Sequence, residues 1–253
     1  LSIPKIAHIT WKTKDVVNSQ SPLILNGLRN LIDLNPDWNV IVHDDNDIDG
    51  YLKNVLNKRD YNLIKDLHIV EKSDLWRLFK LYNEGGLYMD IDRFCNIPLS
   101  EIVTDDIKCV LPTCLDWDFS QDFMLTEPKS PIQEKTIELI LQRRYEGHKN
   151  VFFLGPQTYM HAVTIVLFGE MINTNPGVER FTEMRKYLEQ IPFIKTYREQ
   201  PPHDTVIYKG DGIMDWEKLK KEFYAKFEEL SDLFTCPECG CFKDEYYSIT
   251  KEK

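Results

Sequence analysis

The stretch that most limits what this chain can fold into is Glu71–Asn96, EKSDLWRLFKLYNEGGLYMDIDRFCN. Leu75, Leu78, Phe79 and Tyr82 recur at i, i+3, i+4 and i+7, which predicts an amphipathic helix. Ser73, Arg77, Lys80 and Glu84 fall on another face, one that meets solvent or ligand. Gly85 and Gly86 supply the positive φ that ends a helix at little cost, and Leu87, Tyr88, Met89 and Ile91 predict a short half-buried strand. Helix, glycine break and strand together deliver Asp90 and Asp92 to the edge of a sheet.

Side chains alternate along a strand, so Asp90 and Asp92 are expected on the same side, where two like charges repel unless a cation lies beside them. Mg²⁺ or Mn²⁺ suits that position, being a hard ion bound through oxygen and shared with phosphates. The expectation is a metal-diphosphate site with Asp92 and Asp90 as ligands. Asp-x-Asp is also a common surface tripeptide, and its weight here comes from the apolar strand and Gly-Gly break before it.

Ser73-Asp74, Arg77, Gly85-Gly86, Tyr88, Asp90 and Asp92 resemble the core signature of the Asp-x-Asp sugar-transferase group. That group includes the family 32 glycosyltransferases (yeast initiating mannosyltransferases, inositol-phosphoceramide mannosyltransferases, capsular-polysaccharide transferases) and, more distantly, the clostridial glucosylating toxins. Ile3-Pro4-Lys5-Ile6 with His8 and Trp11 resembles the group's opening strand, and the resemblance covers roughly the first hundred residues.

The resemblance implies a GT-A-like α/β fold, a single Rossmann-type nucleotide-binding domain with a mixed central sheet and added C-terminal helices. It also implies a nucleotide-sugar donor linked to UDP or GDP, a carbohydrate-bearing acceptor, Mn²⁺ or Mg²⁺ as cofactor, and retention of anomeric configuration. By the same resemblance, Asp90, Asp92 and Arg77 are catalytic candidates. Trp11, Ser73, Asp74, Arg77, Tyr88, Asp90 and Gln157 are donor-binding candidates. Trp11 would stack on the base, or it packs against the next helix. Asp74 and Arg77 would grip sugar hydroxyls, or they form an i, i+3 surface salt bridge. His8 reads as a hydrogen-bonded core histidine.

The 253 residues and 42% hydrophobic content support one large domain with a substantial core. The expected division is a nucleotide-sugar half over 1–110, an acceptor half over 111–215, and a helix with a cysteine-containing tail over 216–253. Thirty-one basic against forty-one acidic residues, with no dense Lys/Arg run, argue against a nucleic-acid partner. No apolar run of eighteen or more residues is read, so no transmembrane segment is expected in the chain. The expected setting is cytoplasmic or at the cytoplasmic face of a membrane, and the start at Leu1 leaves room for a removed anchor.

Ile6 to Trp11 reads as the first strand, Ser21-Pro22 as the start of a helix that stops at Asn35-Pro36, and Trp38 to His43 as a second strand. Asp44-Asp45-Asn46-Asp47 reads as a helix cap rather than a metal site. Ile107 to Leu111 reads as a strand and Ile132 to Arg144 as a helix after Pro131. Between them lies an acidic-aromatic loop in which Asp116, Asp118, Asp122, Trp117 and Phe119 either face an acceptor sugar or are solvated acids and core rings. Gly155-Pro156 opens an apolar helix whose N-terminus gives Gln157 and Thr158 a contact role or is a plain turn and cap.

Ile191 to Lys209 reads as a loop feeding a strand at Thr205 to Tyr208, and His203, Asp204, Asp211 and Asp215 are the candidates for a late metal ligand. Trp216 to Leu233 reads as a charged surface helix. Cys236, Cys239 and Cys241 form half of a zinc pattern, which Cys109 and Cys114 would have to complete; a disulfide or free thiols are the other readings. Two further classes share the Asp-x-Asp signal. A haloacid-dehalogenase-type phosphatase needs the pair on an early strand, with Thr or Val where Phe94 stands. A non-catalytic nucleotide-sugar or glycan-binding protein on the same fold is separated from the enzyme by donor turnover.

Overall fold

The computed structural model describes residues 2–16, 18, 22–93, 97–114 and 118–198. His203, Asp204, Asp211, Asp215, the strand at Thr205 to Tyr208, the helix at Trp216 to Leu233 and Cys236, Cys239 and Cys241 lie outside the described residues.

The chain opens with β1 (Ile6–Thr10), α1 (Pro22–Leu34) and β2 (Asn39–His43), a crossover that makes β1 and β2 parallel. α2 (Asp45–Val55) starts at a capping box, Asp44 and Asp47 each accepting from the other's end of the first turn. This is the capping role expected of the acidic run. α3 (Lys58–Ile64) leads into α4 (Ile69–Glu84), β3 (Gly86–Met89), β4 (Cys109–Cys114), β5 (Asp118–Phe119) and β6 (Phe123–Thr126). α5 (Pro131–Tyr145), α6 (Val151–Leu154), α7 (Pro156–Phe168), α8 (Val178–Leu188) and β7 (Ile194–Arg198) complete the described chain.

The seven strands form one mixed sheet in the order β2-β1-β3-β6-β4-β5, with β7 parallel to β4. β1, β2 and β3 run parallel, and β6 is antiparallel to both β3 and β4. This is the α/β layout with a mixed central sheet that the sequence predicts. Both faces are covered. Tyr88, Met124 and Leu111 point into one core with Trp76, Leu78, Ile140, Tyr159 and Phe181, while Leu87, Met89, Leu125 and Val110 point into another with Ile9, Ile24 and Leu31.

That double cover corrects three expectations. β3 is buried throughout rather than half-buried, because β1 and β6 flank it and helices lie on both faces. The acidic-aromatic stretch, read as a loop, holds the short strands β5 and β6, while Phe119 follows the core reading of its ring at 1% exposure. The segment after Ile191, read as a loop, contains β7. The stretch 151–168, with mean hydropathy 1.4, is also long and apolar enough to cross a membrane. Gln157, Thr158 and His161 interrupt its apolar run without adding charge. It is the two helices α6 and α7, half buried inside the fold.

The glycine pair is required by space as well as by φ. Gly85 and Gly86 sit at φ 69° and 94°, and a Cβ on Gly86 would lie 2.3 Å from the carbonyl oxygen of Ile6. The helix-to-strand turn is thereby wedged against β1. Cys109 is a free, buried thiol that burial pushes up to about 12, which makes it a packed side chain and a poor zinc ligand.

Candidate active site

Three pieces of backbone converge beyond the end of β3. α4 brings Ser73, Asp74 and Arg77; β3 brings Tyr88; and the turn between β5 and β6 brings Gln121 and Asp122. The strand stops at Met89, one residue before the first carboxylate, so strand alternation does not orient the Asp pair as expected. The Asp90 N–H donates to the Asp122 carbonyl oxygen (2.8 Å), and the chain then turns, the Arg93 N–H donating to the Asp90 carbonyl oxygen (3.0 Å). Asp90 is part-buried on this turn and Asp92 is exposed. Arg93 forms an ion pair with Asp122, which clips the turn to β6. α1 presses on the same turn: a Cβ at Gly27 would lie 2.9 Å from the carbonyl oxygens of both Ile91 and Arg93.

Arg77 is the centre of charge. Its Nη2 lies 2.6 Å from Asp74 Oδ1, its Nη1 lies 3.5 Å from Asp90 Oδ1 and donates to the Gln121 carbonyl oxygen (3.1 Å), and its plane sits 4.4 Å over the Tyr88 ring. The Asp74–Arg77 pair is therefore part of a site with Arg77 only 8% exposed, and not the surface bridge that was its plain alternative. Burial opposes the Arg77 charge, but Tyr88, Asp74 and Asp90 outweigh it, and the guanidinium is held protonated more firmly than usual. Burial raises the Asp74 carboxyl, Asp90 and Glu71 add to this, and Arg77 works against it.

A second chain of contacts reaches Asp90 from β1. The Ser73 hydroxyl donates to Thr10 Oγ1 (3.4 Å), the Thr10 and Tyr88 hydroxyls lie 3.3 Å apart, and the Tyr88 hydroxyl donates to Asp90 Oδ1 (2.7 Å). Burial, foremost, raises the Tyr88 phenol far from ionisation, so it acts as a donor. The inner oxygen of Asp90 is thus committed to Tyr88 and Arg77.

Ser73, Asp74, Arg77, Tyr88 and Asp90 come together, with Asp92 on the adjoining turn. Trp11 is half-buried against the α1-side core, which supports its packing reading. Gln157 lies in the first turn of α7 with its amide bound to Asn173 Oδ1 (3.1 Å). His8 is fully buried with Nδ1 3.3 Å from His43 Nε2, a core histidine as expected. Thr10 and Gln121 were missed, and Asp122, read as facing an acceptor sugar or as a solvated acid, is instead paired with Arg93. Thr10 had one usable signal, a lone hydroxyl at the C-terminal end of an apolar strand.

The donor set fits Mn²⁺ or Mg²⁺ in a particular way. Among the described residues no group of three His, Cys, Asp or Glu is placed to hold a metal. Two carboxylates on one turn, Asp92 exposed and Asp90 part-buried, match the habit of hard ions that are held by one or two carboxylates and completed by substrate phosphate and water.

Residues 23–108, which contain this turn, match the family model described as the glycosyltransferase sugar-binding region containing DXD motif. A mannosyl phosphorylinositol ceramide synthase of Saccharomyces cerevisiae is 29% identical over 141 residues, covering 54% of this chain and 35% of the relative. Inositol phosphoceramide mannosyltransferase 3 of Schizosaccharomyces pombe is 30% identical over 109 residues, covering 40% of this chain and 28% of the relative. The chain thus spans about a third of the length of these curated relatives. The solved structure titled PaToxG Glycosyltransferase superposes with a TM-score of 0.49 at 21% identity, covering 66% of this chain and 70% of that one. The family match over residues 23–108 and the curated relatives bear out the resemblance to Asp-x-Asp sugar transferases, and the Asp-x-Asp of that stretch is the turn at Asp90–Asp92 that Arg77 and Tyr88 hold in place.

Proposed function

We propose that this chain carries the sugar-transfer site of a retaining glycosyltransferase that moves a hexose from a UDP- or GDP-linked donor to a glycan, lipid or protein acceptor. The observation that carries this reading is the Arg77 network, in which one buried guanidinium links the sugar-side carboxylate Asp74 to the turn carboxylate Asp90 beside exposed Asp92. Asp92 and Asp90 would hold Mn²⁺ or Mg²⁺, with His203 or Asp204 as candidates for a late ligand. When bound, that ion neutralises charge developing on the leaving diphosphate.

The chain's own residues do the rest. Arg77, firmly protonated, adds positive charge on the donor side and fixes Asp74, whose carboxylate accepts from sugar hydroxyls. Tyr88 and Thr10 hold Asp90 in one rotamer, so the turn is preorganised before donor arrives. Ser73 supports Thr10, and Trp11 offers the exposed part of its ring to the base. Gln157 presents the first turn of α7. The relatives' names make a mannose donor and an inositol phosphoceramide acceptor the first pair to try.

The test is a thermal-shift and donor-turnover series with UDP- and GDP-hexoses, with and without Mn²⁺. The expected outcome is a manganese-dependent rise in melting temperature with one nucleotide class and slow donor hydrolysis. Asp92→Ala, exposed and outside the core, should lose on the order of 10²–10³ in turnover with an unchanged melt. Binding without turnover by any donor and acceptor would instead leave a non-catalytic sugar-nucleotide binder.

A further inference from the structure

We propose that Gln121 is a specificity-determining residue, whose carboxamide hydrogen-bonds a hydroxyl of the donor sugar in a notch formed with Asp74 and Gly155. The proposal rests on the nucleotide-sugar reading above and names a residue that neither the sequence motif nor the family match includes, since Gln121 lies beyond residue 108.

Gln121 is 8% exposed, and its Nε2 has no hydrogen-bond partner among the described residues. A buried amide left unpaired is costly, and it is found where a ligand completes it or where strain is stored. Its backbone is already engaged, the carbonyl oxygen accepting from Arg77. The side chain is therefore fixed at its root beside the donor-side cation and free at its tip.

The tip faces the mouth of α7. A Cβ built on Gly155 would lie 3.0 Å from the Val151 carbonyl oxygen, 3.5 Å from Gln121 Oε1 and 3.6 Å from Asp74 Oδ2, so the two side chains converge on a residue that has none. Gly155 also begins a thirteen-residue helix with no side-chain cap, and Pro156 contributes no N–H.

The chemistry selects the ligand. Gln121 Oε1 and Asp74 Oδ2, the atoms nearest Gly155, are both acceptors, and the unpaired Nε2 on the same carboxamide is the one donor beside them, so a hydroxyl can donate to an acceptor here and accept from Nε2. A phosphate oxygen would meet Asp74 with like charge. The notch therefore suits one sugar hydroxyl, and the residue at 121 sets which hydroxyl is read.

The experiment compares the wild-type chain with Gln121→Leu, which removes the amide, and with Gly155→Ala, which puts a methyl beside Gln121 Oε1 and Asp74 Oδ2 and also presses on the Val151 carbonyl oxygen. Calorimetry with Mn²⁺ measures binding of the bare nucleoside diphosphate, of the intact UDP- or GDP-hexose, and of donors deoxygenated at one sugar position at a time. Both variants should bind the bare diphosphate as wild type does and the intact donor at least about tenfold more weakly. For one deoxy donor the difference between wild type and Gln121→Leu should vanish, which a merely structural role would not produce. Equal affinity of wild type and both variants for the intact donor, or an equal loss on the bare diphosphate and every deoxy donor, overturns the proposal while leaving the transferase reading intact. A wild-type chain that binds no nucleotide-sugar overturns both. Should Gln121→Leu fail to fold, Gly155→Ala decides the matter by the same comparison.

Discussion

Arg77 and Arg143 are buried to nearly the same degree, 8% and 7% exposed, yet their charges are accommodated in opposite ways. Arg77 stands between two carboxylates and a tyrosine ring, and these partners outweigh burial in favour of its charge. Arg143 has no ion pair among the described residues. It donates to Thr158 Oγ1, to His161 Nδ1 and to the Phe153 carbonyl oxygen (3.5 Å), and lies 4.4 Å over the Phe153 ring. Burial lowers its pKa. One guanidinium neutralises acids that lie close together at the Asp turn; the other ties α5 to α6 and α7 through neutral acceptors and so fixes the Gly155 mouth from behind.

The sharpest way to break this contrast is to remove each cation. Arg77→Met leaves Asp74 and Asp90 without their counter-charge and should cost about 3–5 kcal/mol in a urea melt, with transfer abolished. Arg143→Met orphans only neutral groups and should cost about 1–3 kcal/mol, with turnover reduced but measurable. Equal costs for the two would show that the carboxylates around Arg77 are not what sets its energetics.

Acid tests the neutral side of the comparison. His161 accepts from Arg143 at Nδ1 and reaches Asn173 Oδ1 through Nε2 (2.8 Å), so it must be the Nε2–H tautomer and uncharged. Burial lowers its pKa, with Arg143 acting in the same direction. His8 and His43 are held down to about 4, by burial first and then by Lys80. An unfolded histidine titrates near 6.5, so below that pH the unfolded chain binds protons that the folded chain refuses. Stability should be at its plateau above about pH 6.5 and fall by about 1.4 kcal/mol per pH unit for each of His8 and His43 as pH drops toward 4, with His161 acting in the same direction. Urea midpoints at several pH values measure the slope, and a flat profile over that window would show that the imidazoles are not kept neutral by the fold.

The smallest change probes the turn itself. Gly27→Ala puts a methyl against the carbonyl oxygens of Ile91 and Arg93 and should cost about 1–3 kcal/mol, with turnover down about tenfold as Asp92 is displaced. Gly50→Ala in α2 has nothing within 4 Å of its Cβ position and should stabilise by up to about 1 kcal/mol. Gly27→Ala behaving like Gly50→Ala would mean that α1 does not hold the Asp turn.

What could be read in the sequence was local. The cap at Asp44, the helix after Pro131, the Gly155-Pro156 opening and the helix-glycine-strand unit before Asp90 each depend on residues within a turn or two of one another. β5, at two residues, is too short for a period to show, and β6 is buried on both faces, so it lacks the alternation that marks a half-exposed strand. The site divides in the same way. Asp74, Arg77, Tyr88, Asp90 and Asp92 fall in one nineteen-residue span and were legible as a motif. Thr10 joins from 63 residues before Ser73 and Gln121 from 44 residues after Arg77, distances over which no periodic signal carries.

The sequence by itself determined that a helix, two glycines and a short strand would bring two carboxylates to a sheet edge, because backbone preference and glycine's access to positive φ act at short range. Only the tertiary structure decided that Arg77 would be buried between Asp74 and Asp90, that the strand would end before the first carboxylate, and that Gln121 would be buried with its Nε2 unpaired and its Oε1 toward Gly155. Desolvation and charge compensation depend on which distant segments pack together, and β6, inserted between β3 and β4, makes that choice.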